Sequence, residues 1–400
     1  MNTSDVVVFF SRGRAGEPFI KEGSPVLFSR QDGRILKIPS RYLKYRYVDS
    51  GRSRSPNTWR VVAYVLASWW DYLSSREILW DQAIRQDIVD FRDFFESRRN
   101  PNTGNFYSSS TISSKLIVIL DFYYFYYIKG EYKGSICVEI DAGSIKKPNR
   151  KNYHKFLSQD LIPKSRKSVD IKPYSFEDWK IFCEALDNNK LNYARDKLIF
   201  TVMVSMGLRV SELVKLSIHQ FLPLQEVHEN VNQFIEIFGK GQKKRLVAAP
   251  NWLINEICDY IFGDRRNIIN KHGIKDHKLI FITNSDSNNP GNPISVRRIQ
   301  EIHKNNCLAA GLYKSDRQQM EYGNEISNCK PRYRVHDLRH TYAVWTYHIR
   351  TSLGDNEPWK WIQSQLGHST LDTTINTYLK HVSILDRRSK FVDLRKVMGW

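Results

Sequence analysis

The chain has 400 residues, 41% hydrophobic and 13% aromatic, which excludes intrinsic disorder and leaves room for two globular domains. Sixty-one Lys and Arg against 42 Asp and Glu give a formal net charge of +19, which argues for a polyanionic partner, nucleic acid before an anionic membrane surface. Its five cysteines are scattered without a C-x-x-C, which argues against a disulfide framework or a zinc site and for a reducing compartment.

No stretch has the length of a membrane span. The most apolar run, 116–128, holds 13 residues, is interrupted by Asp121 and is expected to be a buried core helix. The N-terminus, M-N-T-S-D-V-V-V-F-F, lacks the basic start and long apolar region of a secretory signal, so the expected location is cytoplasmic.

Residues 1–52 are expected to form an N-terminal extension. Within it the apolar runs 26–28 and 35–38 flank Asp32-Gly33, which suggests a small β-hairpin. At S-R-S-P-N, Ser55 can cap a helix and Pro56 suits its first position. Val62, Leu66, Trp69 and Leu73 then recur at helical spacing. Further helices over 88–95 and 110–128 complete a helical domain placed at 53–135.

Residues 136–172 carry K-K-P-N-R-K and P-K-S-R-K-S. They are expected to be an exposed basic linker whose Lys146, Lys147, Arg150 and Lys151 touch a phosphate backbone. Residues 173–385 form a mixed domain. Helices are predicted over 176–186, 193–206, 252–261, 296–309, 335–349 and 357–366, and a hairpin joins 234–238 to 246–249. Residues 386–400 are the tail.

Four pieces of the mixed domain can carry chemistry. In M-G-L-R-V-S-E-L, Gly207 is placed to end one helix and Ser211 to cap the next, so Arg209 lies in a tight bend. The hairpin loop G-K-G-Q-K-K-R holds Lys240, Lys243, Lys244 and Arg245; a lysine there can protonate a leaving group, and the others suit phosphate contact. R-V-H-D-L-R-H-T-Y opens a helix with His336 and Arg339 on one face and His340 beside them, a stripe suited to an anion. In L-G-H-S-T-L-D-T-T-I-N-T-Y, His368 lies in a bend, Ser369 and Asp372 are spaced as a capping box, and Tyr378 follows on the next helix.

Any one of these pieces has an ordinary structural reading. Together they hold cations for non-bridging phosphate oxygens, a proton donor and a hydroxyl nucleophile, with no acidic cluster suited to a metal ion.

The order and spacing of G-L-R-V-S-E, G-K-G-x-K-x-R, H-D-L-R-H, L-G-H and T-Y resemble the tyrosine recombinase (phage integrase) family. The resemblance implies a mainly α fold with a small antiparallel sheet, and a SAM-like core-binding domain joined to an α+β catalytic domain as a DNA clamp. It implies that Arg209, Arg339, His336 and His368 hold the scissile phosphate, that Lys240 protonates the 5′ oxygen, and that Tyr378 forms a 3′-phosphotyrosyl link.

It further implies strand exchange through a four-way junction by a homotetramer on two double-stranded DNA sites, without metal, ATP or another cofactor. Accessory DNA-bending or directionality proteins are possible partners. A type IB topoisomerase shares this chemistry, and a non-catalytic DNA-binding protein on the same fold is the other alternative. The N-terminal 50 residues match no arm-binding motif of the family.

Overall fold

The computed structural model describes residues 5–12, 21–50, 55–101, 104–137, 161–163, 171–187, 193–222, 231–239, 243–316 and 328–386. The chain divides into two compact units, Met1–Ser168 and Val169–Trp400, and the division falls inside the predicted linker. The four linker cations Lys146, Lys147, Arg150 and Lys151 lie outside the described residues, as does the tail beyond residue 386. Among the described residues no helix is long and apolar enough to cross a membrane.

The first unit contains strands β1 (Val6–Phe10) and β2 (Pro25–Ser29) and helices α1 (Lys37–Leu43), α2 (Pro56–Ser74), α3 (Arg85–Glu96) and α4 (Ser109–Ile128). Ser55 caps α2, its hydroxyl accepting from Thr58 N–H at 3.4 Å, with Pro56 in the first helical position.

The hairpin differs from expectation. β1 pairs with β2, Val6 opposite Ser29, whereas residue 35 makes only an isolated bridge to Phe28. Pro39 explains the difference: it suits the first turn of a helix and cannot donate to a ladder, so α1 starts where a third strand would run.

These N-terminal elements share one core with the helices. Val6, Leu27, Tyr42 and Leu43 are buried in the same cluster as Trp69, Phe91, Leu116 and Tyr123. Polar contacts fix the same join. Asp121, buried on α4, accepts from Tyr42 Oη at 2.6 Å and from Arg46 Nη2 at 2.7 Å, and Asp71 on α2 accepts from Val6 N–H at 2.9 Å. The helix is apolar on every face and its middle, Ile119–Tyr124, is buried, with Asp121 the one acid on it and that charge paired.

The second unit runs α5 (Phe176–Asp187), α6 (Tyr193–Met206), α7 (Val210–Leu213), β3 (Asn232–Phe238), β4 (Lys244–Pro250), α8 (Asn251–Tyr260), α9 (Arg266–Lys271) and α10 (Val296–Ala309). It continues with β5 (Tyr313–Asp316), β6 (Asn328–Pro331), α11 (Asp337–Ser352), α12 (Pro358–Leu366) and α13 (Leu371–Asp386). All three described strand pairs are antiparallel and two-stranded, so the fold is mainly helical with small sheets.

In the β3–β4 hairpin Ile235, Ile237, Val247 and Ala249 face the core, while Phe234 and Leu246 face outward, as strand alternation requires. α6 supplies the centre of this core with Ile199, Val202, Met203 and Met206, and Leu338 and Trp345 of α11 join it. A smaller cluster of Tyr342, Ala343, Val344, Ile362, Leu366 and Tyr378 joins α11, α12 and α13.

His303 on α10 is a buried imidazole of the main core. It is 1% exposed, sits 2.9 Å from Tyr174 Oη through Nε2, and is pushed down to about 3 by burial. A base whose folded value lies below its unfolded value of about 6.5 contributes full stability above that pH. The unfolded chain takes up the proton first, so the contribution is lost between about pH 6.5 and 3, by roughly 1.4 kcal/mol per pH unit. His303→Gln is expected to flatten the fall of the denaturation midpoint between pH 7 and pH 5. Equal slopes in the two proteins would show that His303 is not the titrating group.

Candidate active site

Residues 206–209 turn the chain from α6 into α7. Gly207 ends α6 with φ +63°, its N–H donating to Met203 O at 3.0 Å, and a Cβ there would meet the Tyr342 ring at 2.5 Å. Only glycine satisfies both conditions. Arg209 then becomes the cap residue of α7. The expected cap, Ser211, lies inside the helix, and the capping carboxylate is Glu212, whose Oε2 accepts from Arg209 N–H at 2.9 Å.

Glu212 is 4% exposed and collects arginines from distant parts of the chain. Its Oε1 accepts from Arg209 Nη1 at 2.8 Å and Arg245 Nη1 at 2.9 Å; its Oε2 accepts from Arg245 Nη2 at 2.8 Å and stands 3.9 Å from Arg339 Nη1. Burial alone would raise its value, but hydrogen bonds from Arg245 and Arg209 outweigh it and bring the carboxyl down to about 2.

Arg245 departs from its expected place on a phosphate backbone. Besides the two bonds to Glu212, its Nε donates to Gln365 O at 2.8 Å, so the guanidinium links β4 to α7 and α12. Gln365 is buried as well and accepts from Ala248 N–H at 2.7 Å, which pins α12 to the hairpin a second time. Lys243 and Lys244 on the same hairpin are exposed, and Lys244 pairs with Glu236 at 3.0 Å. Lys240, the expected proton donor, lies outside the described residues.

His336 stands at the N-terminal cap of α11 and Arg339 one turn on. Arg339 is 1% exposed and donates from Nη1 to Gly207 O at 2.7 Å and from Nη2 to Leu366 O. Both carbonyls belong to helix ends, so one guanidinium ties the Arg209 turn to the His368 bend. Burial and the neighbouring Arg209 bring it down to about 10, still a cation at neutral pH. His336 is held below its ordinary value by the surrounding protein and by Arg339 and Arg209.

The chain then bends at Gly367, φ +66°, with its N–H on Gln363 O at 2.8 Å. α13 starts at Leu371, and its first-turn cap is Thr370, whose hydroxyl accepts from Thr373 N–H at 3.3 Å, rather than the expected Ser369.

His368 meets Thr374 Oγ1 through Nδ1 at 2.9 Å and stacks parallel to the Tyr378 ring, centroids 6.2 Å apart at 8°. Burial, then Arg339 and Arg209, push it down to about 4, which makes it neutral at pH 7. Tyr378 is 1% exposed and its hydroxyl stands 3.1 Å from His340 Nδ1. Burial pushes it up to about 12, against the pull of Arg339 and Arg209. His340, expected among DNA-facing residues, is turned to the tyrosine.

Arg209, His336, Arg339, His340, His368 and Tyr378 are thus gathered around the starts of α7 and α11, the bend after α12 and the middle of α13. Glu212 and Gln365 are site residues that no motif in the sequence singles out by itself. The acid had a signal: it follows Arg209 by three places in G-L-R-V-S-E, and a buried acid in so basic a chain is one to pair. Gln365 had none.

Such an arrangement, cations and imidazoles around a sheltered hydroxyl, suits transfer of a phosphoryl group to that hydroxyl. Residues 176–383 match the family model described as the phage integrase family, and the chain belongs to that family.

Among its relatives, tyrosine recombinase XerD of Staphylococcus aureus is 29% identical over 194 residues, covering 48% of this chain and 52% of that protein. The chain therefore spans about half the length of these staphylococcal relatives. Tyrosine recombinase XerC of Caldanaerobacter subterraneus is 24% identical over 342 residues, covering 82% and 79%. A crystal structure of the XerH site-specific recombinase bound to palindromic difH substrate, a post-cleavage complex, superposes with TM-score 0.55 at 19% identity over 85% of this chain and 81% of that one. The last comparison supports the fold.

Glu212→Ala is expected to leave three guanidinium groups without their shared anion and to destabilise the second unit by about 3–5 kcal/mol, read by denaturant unfolding. In the wild type the Glu212 contribution is present above about pH 4.5 and is lost as pH falls towards 2, since the folded value is the lower one. A midpoint within experimental error of wild type would refute the shared-anion assignment.

Proposed function

We propose that the chain is a site-specific DNA recombinase that cleaves and rejoins DNA through a tyrosyl ester. The observation that supports this most directly is the placing of the buried Tyr378 hydroxyl under the field of Arg339 and Arg209. In this reading Arg209, whose side chain is 33% exposed, reaches one non-bridging oxygen of the scissile phosphate. Arg339 supplies positive charge from below, and His336 and neutral His368 complete the anion site as hydrogen-bonding groups.

Tyr378 attacks phosphorus, and the bond to the 5′ oxygen breaks as Lys240 delivers a proton to it. The ester keeps the energy of the phosphodiester, so a second strand's 5′ hydroxyl can reverse the reaction without ATP or metal. Two such rounds through a four-way junction, by four protomers on two duplex sites, give recombination.

Lys243 and Lys244, with Lys146, Lys147, Arg150 and Lys151, would hold the phosphate backbone outside the site, with Arg245 acting from within. The XerD and XerC relatives are named tyrosine recombinases, and the XerH structure is described as holding its DNA substrate after cleavage. Integration and excision of a mobile element is the role we favour, in the cytoplasm.

With a nicked duplex pool of randomised sequence, the wild type is expected to give a covalent protein–DNA band on a denaturing gel, and Tyr378→Phe none. A band from Tyr378→Phe would reject the nucleophile. Arg339→Ala should remove the band while leaving most duplex affinity, because binding is spread over many phosphate contacts and weakens steeply with added salt. Complete loss of binding would instead make Arg339 a docking residue. Relaxation of supercoiled plasmid that carries no recognised site would favour a topoisomerase.

A further inference from the structure

Tyr378 has a proton to lose before it can form an ester, and the residue is buried, 1% exposed. With its acidity weakened to about 12, it is a phenol and not a phenolate at neutral pH. An attack by the neutral hydroxyl needs a base within reach, about 2.6–3.2 Å away. His340 Nδ1 stands at 3.1 Å.

We propose that His340 is a catalytic residue that takes the proton of Tyr378 in cleavage and returns it in rejoining. The inference rests on the recombinase reading of the site.

The surroundings favour His340 over its neighbours for this role. The His340 and Tyr378 rings are tilted by 58° with centroids 5.5 Å apart, which lets the hydroxyl meet a ring nitrogen in the edge of the imidazole. His368 lies parallel to the tyrosine ring, so it presents a face, and its Nδ1 is engaged by Thr374. His336 meets His340 edge-on at 4.8 Å and 88°, one step further from the hydroxyl. The charged groups acting on Tyr378 are Arg339 and Arg209, which stabilise the anion formed as the proton departs.

The step balances with these groups. The bond between Tyr378 Oη and phosphorus forms while the bond from phosphorus to the 5′ oxygen breaks. The phenolic proton moves to His340 Nδ1, which requires the neutral ring carrying its own proton on Nε2. The departing oxygen is protonated by Lys240. In the reverse step a 5′ hydroxyl gives its proton to Lys240 and attacks the ester, and Tyr378 recovers its proton from His340.

His340→Asn separates proton transfer from positioning. An asparagine side-chain oxygen can accept a hydrogen bond where Nδ1 stands, yet it does not take up the proton. With the nicked randomised duplexes under single-turnover conditions, His340→Asn is expected to form the covalent complex about 100-fold more slowly or worse, with duplex retention unchanged. In the wild type the rate should rise with pH and level off. In His340→Asn that limb should vanish, whereas limbs due to His336 or His368 would persist.

A wild-type rate and pH profile in His340→Asn would overturn the role of His340 alone. A wild-type protein that forms no covalent complex would overturn the recombinase reading and this inference with it. If His340→Asn does not fold, as judged by circular dichroism, His340→Ala with added imidazole reads the same point. Recovery of rate with imidazole supports the base, and a rate independent of imidazole rejects it.

Discussion

Everything at the site hangs on one buried carboxylate. Glu212 takes two bonds from Arg245 and one from the side chain of Arg209, and it faces Arg339 at 3.9 Å. Three guanidinium groups brought this close would repel one another. A single anion among them lets the cluster exist in the resting protein and leaves it net positive for an incoming phosphate. The same contacts set the geometry, because each arginine comes from a different element: the α7 turn, the hairpin and α11.

The second constraint is the economy with which carbonyls at helix ends are used. Arg339 binds Gly207 O and Leu366 O, and Arg245 binds Gln365 O. Helix C-termini leave carbonyls without intrahelical partners and favour nearby cations. Here those orphan acceptors anchor the cations that the site needs. The fold thereby ties α6, α12 and the hairpin at one place, and a shift in one element reaches the others through a side chain.

How much of this could be read from the letters depended on range. Helix bounds were legible almost to the residue where the signal is local, in the apolar period of Val296–Ala309 and in the apolar run that Gly207 closes after Tyr193–Met206. Caps were less so: Ser211 and Ser369 had the right chemistry, but Glu212 and Thr370 had the right geometry, and cap choice turns on one residue of register.

The N-terminal pairing was legible in part: the turn at Asp32-Gly33 does bring Ile35 opposite Phe28, but the chain then enters a helix that contains Pro39 instead of extending the strand. Of the candidate site, the described members Arg209, His336, Arg339, His368 and Tyr378 were legible as types in an order. That Arg245 serves the protein interior was not. Arg245 and Glu212 are 33 places apart in the chain, and no spacing rule links them.

The glycine of L-G-H has a history written into it by another residue. Gly367 holds φ +66°, and a Cβ there would stand 2.9 Å from Arg245 Cδ. A long side chain would ordinarily swing aside, but this one is held at its far end by Glu212 and Gln365. Two unrelated objections therefore forbid the same methyl group, one from the backbone and one from a neighbour 122 positions earlier in the chain. Shortening Arg245 would lift only the steric one, since the left-handed backbone still costs an alanine about 1–2 kcal/mol. Gly367→Ala therefore meets both objections at once, and pairing it with Arg245→Ala removes only the steric one.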